Sequence, residues 1–360
     1  MGLHELILKD FRLFSELRFE PDPEAITVLL SPNGTGKTSV LEAVFAMATA
    51  SSFRTGSAGD MIRTSAPLAE VHGVLYHFER RISVDLTLTR AVRNTTKRML
   101  VNGQRPKSRA DISEALPLTI FTPEGVDIVR QGPEHRRGYL TTLLTDVDLN
   151  SGEVIERFAR ILSQRNALLR ALQGERPSST QRDELEVWSI DLAIVGEHLV
   201  AIRRRVLDEL EPLVEEYYRE IAQNHDAIGV RYEQSWSGTL KSALDLSFDE
   251  DRYRGHTTRG PQRDDIVLTL DGRDARRQAS QGEQRSLALA LRLAGHQLVQ
   301  HKRGVDPLLL LDDVFSELDP LRSDRLLQLL PVGQTLVTTA VPLPTRMTPA
   351  VVVDLTQVLS

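Results

Sequence analysis

Ser31-Pro32-Asn33-Gly34-Thr35-Gly36-Lys37-Thr38 is the stretch from which the rest of the chain is read. It follows the pattern G-x-x-x-x-G-K-[ST], with serine in the first place. A loop that wraps an anion needs small residues, so that backbone N–H groups can turn inward. Gly34 and Gly36 supply that freedom. Lys37 is placed to reach the β- and γ-phosphates of a nucleotide, and the Thr38 hydroxyl to bind Mg²⁺. Ser31 through Ser39 is therefore the candidate nucleotide cradle. Its surroundings fit. Ala25 to Leu30 (AITVLL) is a β-branched run that reads as a buried strand ending in a turn cluster. Lys37 to Ala48 then carries Val40, Leu41, Val44 and Met47 at helical spacing. Strand, turn and helix is the context a phosphate loop requires.

A second run, Pro307-Leu308-Leu309-Leu310-Leu311-Asp312-Asp313, reads as a buried parallel strand that ends in carboxylates. The carboxyl ends of such strands are where α/β sheets bind ligands. Asp312 is the candidate holder of the Mg²⁺ shell, and Asp313 the candidate group that orients or deprotonates a water. A third run is Ser280-Gln281-Gly282-Glu283-Gln284, directly before an apolar helix. A serine and a glycine at a helix start present a hydroxyl and free N–H groups to an anion. By itself the run is also an ordinary capping box, with Glu283 at its third helical position.

Outward from these runs the chain alternates in character. Leu6 to Leu8 and Leu17 to Glu20 read as short strands. Val71 to Thr89 alternates like half-solvated antiparallel strands. Glu153 to Gln173 reads as a helix, Gly174 onward (GERPSST) as a polar loop, and about Gln181 to Gln223 as a longer helix. In that helix Trp188, Leu192, Val195, Leu199, Ile202 and Val206 step by 4, 3, 4, 3, 4, a short coiled-coil seam. The pair reads as an αα-hairpin or small helical lobe, with Pro212 kinking or restarting the second helix. Glu283 to Val299 and Arg322 to Leu330 read as helices; Thr335 to Thr338 and Val351 to Val353 read as strands.

Composition narrows the classes. The 360 residues suggest about two domains. With 41% apolar and 26% charged residues, the chain is neither disordered nor collagen-like. It has no cysteine, which excludes a thiol nucleophile, a thiolate metal site and a disulfide scaffold. MGLHELILKD lacks a basic n-region, and no apolar run is long enough to span a bilayer, so a cytoplasmic location is expected. The net charge is −6 and the pI about 5.9, so any nucleic-acid contact must come from local basic patches.

The phosphate loop, the S-x-G-x-Q turn, and LLLLDD followed by Ser316-Glu317-Leu318-Asp319 together resemble the ABC-type ATPases, most of all the RecF branch of the SMC-like group. Phe11-Arg12, Phe53-Arg54-Thr55, Thr122-Pro123-Glu124, Gln164 to Leu169 and Gly260 to Asp265 are similar to blocks of that branch, so the resemblance covers essentially the whole chain. It implies an α/β ABC-type ATPase head with a phosphate loop and a mixed sheet. The head would be built from residues 1–150 and 255–360, split by a helical lobe at 151–254. It implies ATP and Mg²⁺ as cofactors, slow ATP hydrolysis, and a homodimer in which Ser280, Gln281 and Gly282 of one copy close on the γ-phosphate held by Lys37 of the other. Asp313 matches the catalytic-carboxylate position, where transporters carry Glu. Ser316 to Asp319 matches the D-loop, and a switch histidine is missing near Thr339 and Ala340. The chain departs from the pattern at Ser31, at Glu283, where Gln is expected, and at Gln262, where His is expected. The Q-loop glutamine stays open, with Gln131 one possibility. Members of the branch work with RecO and RecR to load RecA at DNA gaps, so RecR and a DNA junction are the implied partners.

DNA contact rests on other residues. Arg90, Arg93, Lys97, Arg98, Arg105, Lys107 and Arg109 are the basic residues of a stretch without an acidic one, with Asn102-Gly103 as a hairpin turn inside it. A basic hairpin lies along phosphates, or else it is a solvated strand face. Arg54, after the phosphate-loop helix, matches an SMC-like arginine that couples DNA to hydrolysis. Arg203, Arg204 and Arg205 read as a solvated helix face. Two rivals differ by class. A transporter ATPase subunit would need a longer LSGGQ-like signature and a catalytic Glu, and a structural SMC protein would need hundreds of coiled-coil residues. An ATP-driven switch that does not act on DNA is the remaining alternative.

Overall fold

A computed structural model describes residues 2–77, 80–91, 94–173, 178–316, 318–344 and 346–357, without the side chains of Arg109 and Gln357. The strands in chain order are β1 (Gly2–Phe11), β2 (Phe14–Phe19), β3 (Ile26–Leu30), β4 (Leu68–His77), β5 (Arg80–Thr89), β6 (Thr96–Val101), β7 (Leu118–Phe121), β8 (Ile228–Glu233), β9 (Asp265–Leu270), β10 (Arg273–Asp274), β11 (Leu308–Asp312), β12 (Thr335–Thr339) and β13 (Val351–Val353). They form a parallel sheet ordered β13-β3-β12-β11-β7, an antiparallel sheet ordered β2-β1-β4-β5-β6, and a small antiparallel sheet β10-β9-β8.

The chain divides into two compact units. One is Met1–Val126, Tyr217–Asn224 and Leu289–Ser360; the other is Asp127–Glu216 and His225–Ala288. The first holds both five-stranded sheets. β3, β11 and β12 are buried along nearly their whole length, as strands covered on both faces must be. The helix Lys37–Thr49 touches strands of both sheets and fills the space between them. Leu41, Val44 and Met47 from that helix, Leu3, Leu6 and Leu8 from β1, and Leu29 from β3 are wholly buried in one apolar cluster. Gly73 on β4 permits this packing: a Cβ there would lie 2.5 Å from the Met47 sulfur.

The second unit contains the helices Pro133–Val147, Leu149–Ala171 and most of Ser179–Ala222, with the small sheet. Its bounds, 127 and 288, enclose the expected boundaries at 150 and 255. The helix Pro133–Val147 packs on the helix after it and on β9, which draws residues 127–150 and 255–288 into this unit. The seam residues Leu192, Val195, Leu199, Ile202 and Val206 are buried, and Trp188 is half-buried. Arg165, fully buried, crosses from one helix to the next. It donates to Ser189 at 3.0 Å, to Asp251 at 2.8 Å and to Thr257 at 2.6 Å. Breaking such a pair by removing one partner costs about 3–5 kcal/mol.

The helix Ser179–Ala222 does not restart at Pro212. Proline inside a helix costs about 3 kcal/mol or more. Leu210, Val214, Tyr218 and Ile221, all at most 1% exposed, bury enough apolar surface to offset it. β8 lies inside the 151–254 stretch read as a helical lobe, beyond the end of its second helix, and β1 is ten residues long where three were read. Of the polar loop read from Gly174, residues 174–177 lie outside the described residues.

Candidate functional site

Because β3, β12 and β11 run parallel, their carboxyl ends reach one edge of the sheet. β3 delivers Ser31 and the loop; β11 delivers Asp312; β12 lies between them and delivers Thr338. The sequence reading assigned nothing to Thr338. It is wholly buried, and its hydroxyl donates to Asp312 Oδ1 at 2.6 Å. Thr38 Oγ1 donates to the same oxygen at 2.9 Å. Burial pushes the Asp312 carboxyl above the usual range, and these two hydroxyls pull it back down.

The loop turns on Gly34 (φ +86°) and Gly36 (φ +93°), both in the left-handed region that favours glycine. Position 36 has a second reason: a Cβ there would lie 2.7 Å from the Phe14 ring. From this turn the helix starts at Lys37, whose ammonium donates to the carbonyl of Ser31 and, at 2.8 Å, to that of Pro32. Burial lowers the Lys37 pKa, and the charges of Asp313 and Asp312 oppose that shift.

Around the loop is a cavity of about 400 Å³. Asn33, Gly34, Gly36, Lys37, Thr38 and Ser39 line it, with Asp313, Thr338, Arg12 and Arg54. The arrangement offers backbone N–H groups, a lysine and two arginines to a polyanion, and a carboxylate to a water. Asp313 adopts φ +50°, with its N–H donating to Thr338 O at 3.1 Å and Thr338 Oγ1 at 3.0 Å. Its Oδ1 is buried and makes no hydrogen bond. The Thr38 hydroxyl and the Asp312 carboxylate are hard oxygen ligands and fit Mg²⁺. Among the described residues no cluster of three acidic or histidine side chains makes a metal cage.

Arg12 and Arg54 share one anchor. Glu42, wholly buried, pairs with Arg12 Nε at 2.7 Å and Nη2 at 2.5 Å, and with Arg54 Nη1 at 3.4 Å. Sequence reading singled out both arginines but missed Glu42. Its signal was that it is the single acidic residue of the helix Lys37–Thr49.

The second unit carries the other candidates. At Ser280 the capping box is formed. The Glu283 carboxylate accepts the Ser280 N–H at 2.6 Å, and Ser280 Oγ accepts the Glu283 N–H at 3.3 Å. These bonds hold the Glu283 carboxyl below the usual range. Gln281 and Gly282 open the helix Gln281–Arg303. Gln131 is exposed, and its carbonyl accepts Arg136 at 2.9 Å. Gln262 turns back on Arg259 O at 2.9 Å. In the first unit, Ser316 Oγ donates to Asp313 O at 2.7 Å and Asp319 caps the next helix. Glu317 lies outside the described residues.

Among the described residues, the basic side chains of this stretch differ in what they face. Asn102 and Gly103 both have positive φ, and the turn they make is closed by a single bridge from Val101 to Gln104. Lys97 and Arg98 point to opposite faces of β6 by the alternation of a strand. The Lys97 ammonium donates to Ala50 O at 2.7 Å, at the end of the phosphate-loop helix. Arg90 donates to Ile62 O at 3.1 Å and Ala66 O at 3.2 Å. Arg98, Arg105 and Lys107 are exposed. Arg93 and the side chain of Arg109 lie outside the described residues. Arg203 departs from the solvated-face reading: it is 5% exposed and donates to Pro261 O at 2.7 Å and Tyr232 Oη at 3.1 Å. Helical periodicity turns 203 inward while Arg204 and Arg205 stay exposed.

A sequence profile described as the RecF/RecN/SMC N terminal domain matches residues 2–341. The chain is 36% identical over 340 residues to the DNA replication and repair protein RecF of Geobacter sulfurreducens, covering 92% of this chain and 90% of that protein. It is 34% identical over 342 residues to the protein of the same name from Halothermothrix orenii, covering 92% and 89%. Among solved structures it is similar to one described as the recombination mediator protein RecF-ATPrS in the RecFOR pathway. The TM-score is 0.85 at 26% identity, over 98% of this chain and 97% of that one. It shares the fold of an Smc head bound to the C-winged helix domain of ScpA, with a TM-score of 0.54 at 16% identity over 95% and 90%.

Proposed function

The chain belongs to the RecF family of DNA replication and repair proteins and has its ABC-type ATPase fold, and we propose that it is an ATP-dependent DNA-binding protein of DNA repair and replication. The observation that carries this reading is the phosphate cradle, with Lys37, Thr38 and Asp313 lining one cavity and Asp312 hydrogen-bonded to Thr38. Ser31 to Ser39 hold the ATP phosphates. Thr38 and Asp312 would hold Mg²⁺, which would supply positive charge to neutralise the phosphates. Asp313 takes or orients the proton of the attacking water.

Two copies close on two nucleotides, with Ser280, Gln281 and Gly282 of each serving the other's ATP. The dimer clamps DNA, and slow, DNA-stimulated hydrolysis times its release. RecR and RecO are the protein partners, in keeping with the RecFOR pathway named for the solved relatives. Among the described residues no helix is long and apolar enough to cross a membrane, and the proposed site of action is the cytoplasm.

The test is the coupling of assembly to DNA. Light scattering and anisotropy of labelled gapped duplex should show dimer and DNA binding appearing together with Mg·ATP and not with ADP. DNA binding of equal strength without nucleotide would overturn the reading.

The DNA surface includes Arg54, Arg98, Arg105 and Lys107, with Arg93 and Arg109 in the same stretch. Each phosphate contact contributes about −0.9 to the slope of log K against log salt. Arg98→Ala should flatten the slope by about 0.9. Lys97→Ala should leave it in place, since the Lys97 ammonium is held by Ala50 O. Loss of slope in the Lys97 variant, and none in the Arg98 variant, would place the DNA on the other face of β6.

A further inference from the structure

Ser31 occupies the place where phosphate loops carry glycine, and its side chain is fully engaged. Ser31 Oγ donates to Asp354 Oδ1 at 2.8 Å and accepts the N–H of Leu355 at 2.8 Å. Asp354 Oδ1 also accepts the N–H of Thr356 at 2.9 Å and its hydroxyl at 2.8 Å. The segment around Asp354 is itself anchored. β13 runs parallel to β3, with Val351 opposite Thr27 and Val353 opposite Leu29, and Leu355 is wholly buried in the apolar cluster. By contrast, the backbone N–H of Ser31 reaches its acceptor, Thr339 O, only at 3.4 Å. The side chain, not the main chain, ties down the start of the loop.

The other side of Ser31 meets the chemistry. Its carbonyl accepts the Lys37 ammonium, together with the Pro32 carbonyl. One residue thus joins the turn after β13 to the lysine that faces the phosphates. We infer that Asp354 is a positioning residue for the phosphate loop. Through the Ser31 hydroxyl it holds the two carbonyls that keep Lys37 in place before nucleotide arrives. A glycine at 31 makes neither bond, so the serine is a substitution that the tail segment completes. Preorganising a loop raises affinity by lowering the entropy lost on binding. The inference rests on the reading of this loop as the ATP site and adds a control from outside the loop motif.

Equilibrium titration of the full chain with fluorescent ATP and ADP analogues tests it, using Asp354→Ala, Ser31→Ala and the double variant. Each single change should weaken both nucleotides by about fivefold, the worth of one net hydrogen bond. The double variant should be no weaker than the singles, because they remove one shared interaction. Asp354→Asn keeps an acceptor oxygen and should recover most of the loss. The melting temperature of nucleotide-free Asp354→Ala should match the wild type, since Asp354 is exposed; Ser31→Ala also strips the buried Leu355 N–H of its acceptor and is read by affinity alone. Unchanged affinity in both single variants, additive losses, or a fall in the Asp354→Ala melting temperature that accounts for the weaker binding would overturn the inference. A wild-type chain that binds neither analogue would overturn the ATP reading itself, and the inference with it.

Discussion

Lys37→Met should abolish ATP binding, raising the dissociation constant by about 100-fold or more while the chain stays folded. In the structure Lys37 is 7% exposed, and its ammonium sits on two loop carbonyls. Asp312 and Asp313 both act on it, raising its pKa against the effect of burial. Nucleotide phosphates replace the carbonyls as its partners. A charge-assisted hydrogen bond contributes about 1.5–3 kcal/mol, and two of them exceed the tenfold step of about 1.4 kcal/mol at least twice over. Methionine fills the same space without the charge. It also leaves the phosphates facing two carboxylates with no cation from the loop between them. Titration with a fluorescent ATP analogue is the measurement, and undiminished affinity in a folded variant would refute the cradle.

For Asp313→Asn the expected result is a split: ATP binding and ATP-dependent dimerisation persist, and turnover drops by about 100-fold or more. The substitution isolates chemistry because the backbone tolerates it. Asp313 stands at φ +50°, a conformation that asparagine adopts readily. The bonds that fix this backbone come from Thr338 and Ser316, not from the carboxylate. What changes is the carboxylate, whose Oδ1 is buried without a hydrogen bond; the neutral amide that replaces it takes no proton from water. Asp312 keeps its two hydroxyl partners and with them the Mg²⁺ position. Steady-state phosphate release beside light scattering reads both halves. Full turnover would assign the water to another group, and loss of the dimer would make Asp313 a binding residue.

The phosphate loop was legible in the sequence because its constraint is local. Gly34 and Gly36 are needed for positive φ, and Lys37 and Thr38 follow at fixed spacing whatever surrounds them. Asp312 was legible for a similar reason, as the polar end of a run too apolar to be anything but a buried strand. The glutamate at 283 was also read correctly as one half of a capping box, since that interaction spans three residues. The misreadings share the opposite property. A restart at Pro212 was one of two outcomes read from the cost of proline in a helix, and the helix instead runs through it, with Val214 and Tyr218 buried beyond. Arg203 was grouped with its two neighbours as solvated, yet it faces inward to Pro261, 58 residues on.

Local spacing and periodicity therefore determined the phosphate-loop motif, the strand that ends in Asp312 and the helical middle of this protein, because each depends on residues within one element, while the fold class followed from the resemblance of the combined motifs to the ABC-type ATPases. Only the tertiary structure decided which elements meet. It put β12 between β3 and β11 and so brought Thr338 onto Asp312. It closed Glu42 on both Arg12 and Arg54, and carried Asp354 to Ser31 across 323 positions of sequence. It also brought the Lys97 ammonium to Ala50 O, 47 positions away in sequence. Contacts of that kind depend on sheet order and on which face of an element is covered. No spacing rule records either, because the energy that selects them comes from burying the whole apolar cluster at once.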